Sequence, residues 1–112
     1  MTGFATVLLT IWVTIMPHSV LTWYHAPGGT MADGEQFSVN AATVACPRYL
    51  GLGTVVRICH GERCVVATCA DRTALWADGI YDGSSAVFAA LAPLERGVLD
   101  VTVELQMDLP GR

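Results

Sequence analysis

Acidic side chains stand in three separate segments of this chain that could act together on a bound substrate. The segment 31–38 contains Glu35, an apolar strand-like segment ends at Asp71, and a third segment carries Asp82. A carboxyl group whose pKa is raised by partial burial can protonate a leaving oxygen and later take the proton back. Asp71 is the best candidate for this acid, because the apolar residues before it carry it to the rim of a folded domain. Glu35, which follows a turn, is the natural second carboxylate.

Each of these acidic residues also has a structural interpretation. Asp71 is equally suited to pairing with Arg72 or capping a turn at the end of a strand. Glu35 could be a solvated turn residue. Asp82 precedes Ser84, which favours a role at a strand end or helix cap over catalysis.

The order of several motifs extends the pattern. Trp23-Tyr24 is followed by the segments 31–38, 52–58, 65–72 and 79–84. Together these segments resemble the double-psi β-barrel of the rare lipoprotein A family, which is related to the barrels of barwin-like proteins and expansins. The resemblance covers residues 22 to about 105.

The resemblance implies a glycan-binding groove with catalytic residues Asp71 and Glu35. It also implies that substrate is contacted by Trp23, Tyr24, Ser38, Arg72 and Asp82. We expect no cofactor or metal. Two positions depart from the family, because an aspartate is replaced by Ser38 and a histidine by Cys46. A serine can hold a sugar hydroxyl but cannot share a proton with Glu35, and a disulfide-bonded cysteine cannot replace an imidazole.

Two functions therefore remain open. The first is a lytic transglycosylase that cleaves peptidoglycan glycan strands through Asp71. The second is a non-enzymatic protein that binds wall glycan or serves as a structural subunit of an envelope-facing assembly such as a phage tail. The first places the protein outside the cell or in the cell envelope, and the second extends this to the virion.

Composition excludes two classes of partner. The 112 residues carry a net charge of −4 and no lysine, and the arginines form no run. Nucleic acids and anionic membrane surfaces both require clustered positive charge. The length is that of a single domain with a core of its own.

The N-terminal segment is strongly apolar. Residues 1–32 contain no charged side chain other than histidine, and residues 4–16 form an almost continuous apolar run. The run fits a secretory signal or membrane anchor, although it lacks the positive charge and cleavage motif of a signal. It also fits a β-strand over residues 6–14 that pairs with another chain. An ordered apolar segment must be covered, so we expect an assembly partner over residues 4–16.

Four cysteines allow three disulfide connectivities. The segment 59–64 predicts a hairpin with Cys59 opposite Cys64, and this register points Cys69 inward, within reach of Cys46. We therefore predict the bonds Cys59–Cys64 and Cys46–Cys69, which imply an oxidising compartment. A zinc site, whose ligand spacings fit poorly, and reduced buried cysteines are the alternatives.

The predicted fold is mainly β, a six-stranded double-psi β-barrel with one short helix and an apolar N-terminal extension. We predict the extension over residues 1–21, the barrel over 22–105 and a tail over 106–112. Strands are expected at 22–26, 54–59, 64–70, 80–82 and 98–105, with a strand or loop at 37–45. A helix is expected over 86–91, capped by Ser84 or Ser85 and stopped by Pro93.

Overall fold

The computed structural model describes residues 8–74 and 79–110. Alternating and β-branched segments form its strands, and a short alanine-rich segment forms its helix. The elements in chain order are β1 Leu8–Trp23, β2 Thr43–Cys46, β3 Val55–His60, β4 Arg63–Arg72, β5 Ile80–Gly83, α1 Ser85–Ala89, a 3₁₀ helix Leu94–Arg96 and β6 Leu99–Pro110.

The strands close into a barrel in the order β1, β5, β2, β4, β3, β6. β1 runs parallel to β5 and β2 runs parallel to β4, while the other four neighbouring pairs are antiparallel. The predicted fold class, a mainly β six-stranded barrel with one short helix, is confirmed.

The core fills the barrel with side chains from every strand and from α1. Leu21, Ile58, Tyr81, Phe88 and Val103 are fully buried. The hydroxyl of Tyr81 is hydrogen-bonded to that of Tyr49 at 3.1 Å, which gives the buried phenol a partner. Burial of these apolar surfaces stabilises the closed sheet.

The β3–β4 hairpin has the predicted register. Cys59 lies opposite Cys64, Ile58 opposite Val65 and Val56 opposite Ala67. The turn contains Gly61 at a φ of +60°, a conformation that glycine adopts without steric cost. Both predicted disulfide bonds, Cys59–Cys64 and Cys46–Cys69, are present.

β1 is longer than predicted and has a different partner. The strand predicted at 6–14 is present from Leu8 onward, but it pairs with β6 of the same chain rather than with another chain. β1 thus crosses the predicted boundary after residue 21, and β6 crosses the one after residue 105. A sequence pattern does not reveal this register, because the paired residues are about 100 positions apart in sequence, as with Leu8 and Pro110.

Residues 8–14 of β1 and 105–110 of β6 form a two-stranded ribbon that continues beyond the contacts with β3 and β5. Alternation gives the ribbon two different faces. One face carries polar residues and Trp12, and on it Thr10 donates a hydrogen bond to Asp108 at 2.9 Å. The other face is apolar and carries Leu9, Ile11, Val13, Leu105 and Met107. Leu9, Val13 and Met107 are 56%, 37% and 44% exposed, so this face is open to solvent.

β2 and α1 are shorter than predicted, whereas β4 and β5 extend slightly beyond the predicted strands at 64–70 and 80–82. In the region of the segment 37–45, the strand is limited to Thr43–Cys46, because the residues before it form turns. The helix ends at Ala89, and Ser84 is its cap, accepting a hydrogen bond from the backbone N–H of Val87. In residues 8–74 and 79–110, helices long and apolar enough to cross a membrane are absent.

The two disulfides should differ in their contribution to stability. Cys46–Cys69 closes a loop of 23 residues and is fully buried at both ends, whereas Cys59–Cys64 closes one of 5. Chain entropy assigns them about 3 and about 2 kcal/mol respectively. We expect the double variant Cys46→Ala/Cys69→Ala to lose more unfolding free energy in urea than Cys59→Ala/Cys64→Ala. An equal or reversed order would contradict this ranking.

Candidate functional site

One row of side chains crosses four neighbouring strands on the outer face of the barrel. Strand pairing aligns Thr22 of β1 with Asp82 of β5, Asp82 with Ala45 of β2, and Ala45 with Asp71 of β4. Leu21, which precedes Thr22, is fully buried, so alternation turns Thr22 and its neighbours outward. We call Thr22, Asp82, Ala45 and Asp71 the outer row. The small methyl group of Ala45 separates the two acids, whose Cα atoms are two strand spacings, about 10 Å, apart.

Asp82 is a half-buried carboxyl group held by a hydroxyl. The Oγ1 of Thr22 donates a hydrogen bond to its Oδ1 at 2.9 Å. Burial raises the pKa of Asp82 above its ordinary value, and the nearby charge of Asp71 raises it further, while the hydrogen bond from Thr22 opposes both effects. Asp82 therefore retains a proton at a higher pH than a solvated aspartate.

Asp71 accepts three hydrogen bonds. The hydroxyl of Tyr24 donates to Oδ2 at 3.1 Å, and the backbone N–H groups of Ala32 and Arg72 donate to Oδ1 at 3.0 and 2.9 Å. Burial and the charge of Asp71 raise the pKa of Tyr24 well above its ordinary value, so this phenol remains a donor. Because all three partners are donors, they fix the orientation of the Asp71 carboxyl group as an acceptor.

A β-bulge determines that Asp71 faces outward. Val44 pairs with Cys69, but the next residue of β2, Ala45, pairs with Asp71, so Ala70 is an extra residue in β4. In a regular strand Cys69 and Asp71 would share a face, and the fully buried Cys69 would draw Asp71 into the core. The extra residue reverses this and places the carboxylate in the outer row.

The Cys46–Cys69 disulfide lies across this bulge. Cys69 is the last residue of β4 before the extra residue, and Cys46 is the second residue of β2 after it. The covalent bond therefore joins the two strands on both sides of the register shift. Cys46 stands where the resemblance places a histidine. Through its disulfide bond it helps to position Asp71, and it does not act as an acid or base.

The guanidinium group of Arg72 is directed away from the carboxylate of Asp71. Its Nη1 donates to the carbonyl oxygen of Pro47 at 3.1 Å and also to that of Leu50. Only the backbone N–H of Arg72 contacts the Asp71 side chain. A role for Arg72 in substrate binding stays a prediction, and its described contacts hold the turn that follows β2.

The loop between β1 and β2 brings some predicted residues to the outer row and leaves others apart. The Tyr24 ring packs against that of Phe37, with centroids 4.6 Å apart. The N–H of Asp33 bonds to the carbonyl of Ala70 at 3.0 Å, which attaches the loop to the end of β4. Glu35 lies exposed on this loop, and its backbone carbonyl accepts from the N–H of Met31 at 2.8 Å.

Ser38 and Trp23 have contacts of their own. Ser38 is exposed, and its Oγ accepts a hydrogen bond from the N–H of Asn40 at 3.4 Å. The indole Nε1 of Trp23 donates to the carbonyl of Leu94 at 3.0 Å, and the ring packs against the core. The predicted substrate contacts of these two residues stay predictions, whereas Tyr24 contacts Asp71 and Asp82 lies in the same row as Asp71.

Two residues of the outer row are absent from the sequence-based prediction. Thr22 orients Asp82, and Ala45 separates the two acids. Their importance depends on pairing between residues 60 positions apart, as for Thr22 and Asp82, and a local motif does not carry this signal.

Thr22, Asp71 and Asp82 of the outer row are partly exposed, whereas Ala45 is buried. Two cavities, of about 610 and 470 Å³, are lined by other residues. Within residues 8–74 and 79–110, clusters of three or more His, Cys, Asp or Glu side chains suited to a metal ion are absent. The row itself offers carboxylates and hydroxyls, the groups that hydrogen-bond to sugar hydroxyls.

Solved structures of similar fold come from bacteria. A papain inhibitor from Streptomyces superposes with a TM-score of 0.68 and 22% identity, and the match covers 88% of this chain and 94% of the inhibitor. An expansin from Clavibacter michiganensis superposes with a TM-score of 0.64 and 23% identity in its apo form. A variant of that expansin in complex with cellohexaose gives a TM-score of 0.63 and 18% identity.

The coverage differs between these structures. This chain spans nearly all of the papain inhibitor, but both expansin matches cover 88% of this chain and only 51% of the expansin. No protein-family model matches the sequence, and no curated protein is similar to it. The similarity is one of fold.

The raised pKa of Asp82 predicts a pH-dependent effect on stability. Because the folded state holds this proton more tightly than the unfolded state does, stability falls as pH rises from the ordinary aspartate value of 3.8 through the folded pKa. Asp82→Asn keeps an acceptor for Thr22 and removes the charge. We expect the variant to be more stable than the original at pH 7, by less than about 1 kcal/mol because solvent screens a half-exposed group.

Urea unfolding at several pH values measures this effect. The difference between Asp82→Asn and the original protein should shrink toward zero below pH 3.8. Glu62→Gln, at an exposed turn, is the control for loss of an acidic charge. If the stability of Asp82→Asn relative to the original protein were lower at pH 7 than at pH 3, the raised pKa of Asp82 would be disproved.

Proposed function

Since this chain folds as a double-psi β-barrel of the barwin type, we propose that it binds the glycan strands of peptidoglycan along the outer row, without cleaving them. One observation carries the proposal. Two partly exposed carboxyl groups, each held by a hydroxyl donor, flank a small residue on the outer face of the sheet. Their partners are Thr22 for Asp82 and Tyr24 for Asp71.

The chemistry of the outer row suits a sugar polymer. Carboxylate oxygens accept hydrogen bonds from sugar hydroxyls, and such charge-assisted bonds are stronger than neutral ones. Ala45, between the two acids, is only 3% exposed, so a sugar ring would lie over the row and reach the carboxyl groups rather than the methyl group. An outer sheet face accepts a long strand, whereas a closed cavity would admit only its end. The expansin structure with cellohexaose provides a fold-level precedent for glycan binding.

Peptidoglycan is proposed as the glycan on two grounds. The motif order resembles the rare lipoprotein A family, as described above. The two disulfide bonds indicate an extracellular protein, because such bonds persist in oxidising compartments. We place the protein in the cell envelope, where it would meet this polymer.

The contacts of Asp71 favour binding over cleavage. Its three donors hold it as an acceptor, and the positions of Ser38 and Cys46 lack the proton-sharing groups that the resemblance implies. Glu35, the other predicted catalytic residue, lies on an exposed loop. Asp82, with its raised pKa, is the carboxyl group best suited to donate a proton, so it is the residue to test for any lytic activity.

The second candidate is a structural subunit of an envelope-facing assembly such as a phage tail. The ribbon favours it, because its apolar face is exposed and its strand 8–14 carries no charge that would oppose edge pairing. Such assemblies repeat one subunit, so we take the occupant of this face to be another copy of the chain. The papain inhibitor, whose name gives it a protein target, supports the compatibility of this fold with binding protein.

Co-sedimentation with purified peptidoglycan sacculi tests the glycan proposal. We expect the protein to pellet with sacculi, and Asp71→Asn and Asp82→Asn to reduce the bound fraction several-fold, since each removes a charged acceptor worth about 1 kcal/mol or more. Glu62→Gln is the matched control on an exposed turn and should bind normally.

Mass spectrometry of the same supernatants separates binding from cleavage. We expect intact glycan strands. Anhydro-ended muropeptides that disappear in Asp82→Asn or Asp71→Asn would overturn the non-cleaving proposal and establish a lytic transglycosylase. If Glu62→Gln reduced pelleting as much as the two aspartate variants, the overall acidic charge of the protein, rather than the outer row, would govern binding.

Light scattering tests the ribbon. We expect self-association at high protein concentration that weakens at least several-fold in Val13→Thr/Met107→Thr, because two exposed apolar side chains become smaller or more polar. The control Gln106→Thr changes the opposite face of β6. A protein that stays monomeric at all concentrations would argue against the second candidate.

A further inference from the structure

Two arginines that are distant in sequence converge on one cavity. Arg63 begins β4 at the hairpin turn, and Arg96 ends the 3₁₀ helix. Together with His60 they line a cavity of about 470 Å³. β4 separates this cavity from the outer row, because Arg63 and Asp71 are eight residues apart along a strand, about 26 Å.

These arginines are available to a ligand. Among the described residues, neither guanidinium group forms a salt bridge or a side-chain hydrogen bond, and both residues are exposed. Arg57, in contrast, is paired with Glu104 at 2.8 Å. Two uncompensated cations at one cavity in a chain of net charge −4 create a local site for a negative group.

His60 adds a third polar group with a defined orientation. Its Nδ1 lies 2.8 Å from the backbone carbonyl oxygen of Asp100. A carbonyl only accepts, so Nδ1 carries the hydrogen and Nε2 is the ring atom left for a ligand. The histidine side chain is therefore oriented by β6 at the edge of the cavity.

The rest of the lining is small and apolar. It consists of Ala89, Leu91, Ala92 and Pro93. Leu91 and Ala92 are buried and hold the wall in place, and Ala89 and Pro93 are the exposed apolar residues of the cavity. A ligand that fits this lining has a small apolar body and one anionic end.

We propose that this cavity binds the C-terminal carboxylate of a peptide whose last residue is small and apolar. The planar guanidinium groups of Arg63 and Arg96 match a carboxylate, which each can bind through two parallel hydrogen bonds. The apolar wall receives the side chain of the terminal residue. This site is independent of the glycan proposal, because it shares no residue with the outer row.

Nuclear magnetic resonance titration of the full chain with acetyl-Ala-Ala tests the proposal. We expect shifts of the backbone amides of His60, Arg63 and Arg96, and no such shifts with acetyl-Ala-Ala amide, which lacks the charge. Arg63→Gln and Arg96→Gln should each weaken binding about tenfold or more, the effect of losing one charge-assisted pair. Arg48→Gln removes an exposed arginine elsewhere and should bind normally.

The outcomes separate the alternatives. Equal binding of the amide would overturn the proposal, as would shifts confined to other residues or unchanged affinity in both arginine variants. Inorganic phosphate that binds more tightly than acetyl-Ala-Ala at the same amides would also overturn it, in favour of a phosphate site. Because both arginines are exposed, we expect the two variants to fold normally, and unchanged spectra outside the cavity would verify this. We expect Asp82→Asn to bind the peptide normally, because the outer row is not part of this cavity. The result of this experiment therefore does not depend on the glycan proposal.

Discussion

The candidate site depends on one extra residue in β4. Ala70 shifts the register between β2 and β4, and this shift turns Asp71 from the core to the outer face. Without it, a carboxylate would lie in the apolar interior beside Cys69, where an unpaired charge is strongly unfavourable. The Cys46–Cys69 bond joins the strands across the shift, so the covalent structure and the position of the carboxylate are coupled.

Much of the fold was predictable because its signals are local. The hairpin register and the disulfide pairs follow from alternation around residues 59–64, and the cap of α1 follows from Ser84. The predicted acids Asp71 and Asp82 do lie in one row. The extent of β1, the role of Thr22 and the bulge at Ala70 were not predictable, because each is set by pairing between distant segments. The same limit applies to Arg63 and Arg96, which no motif connects.

The outer row stores unfavourable electrostatic free energy. Asp82 and Asp71 repel each other, and burial further disfavours the charged form of Asp82. Hydroxyl donors from Thr22 and Tyr24 offset part of this effect, and the closed core with its two disulfides supplies the rest of the stability. Local destabilisation of this kind is common at sites where a protein acts on or binds a ligand.

Pairing between β1 and β6 also has a consequence for how the chain reaches its fold. The first and last strands of the described structure are neighbours, from Leu21 with Leu99 to Leu8 with Pro110. Contacts between such distant residues carry a high loop-closure entropy and slow the folding reaction. During synthesis β1 is made long before β6, so the growing chain keeps an apolar segment unpaired. Closure of the barrel therefore comes after β6 has been made, and the disulfide bonds form where the environment is oxidising.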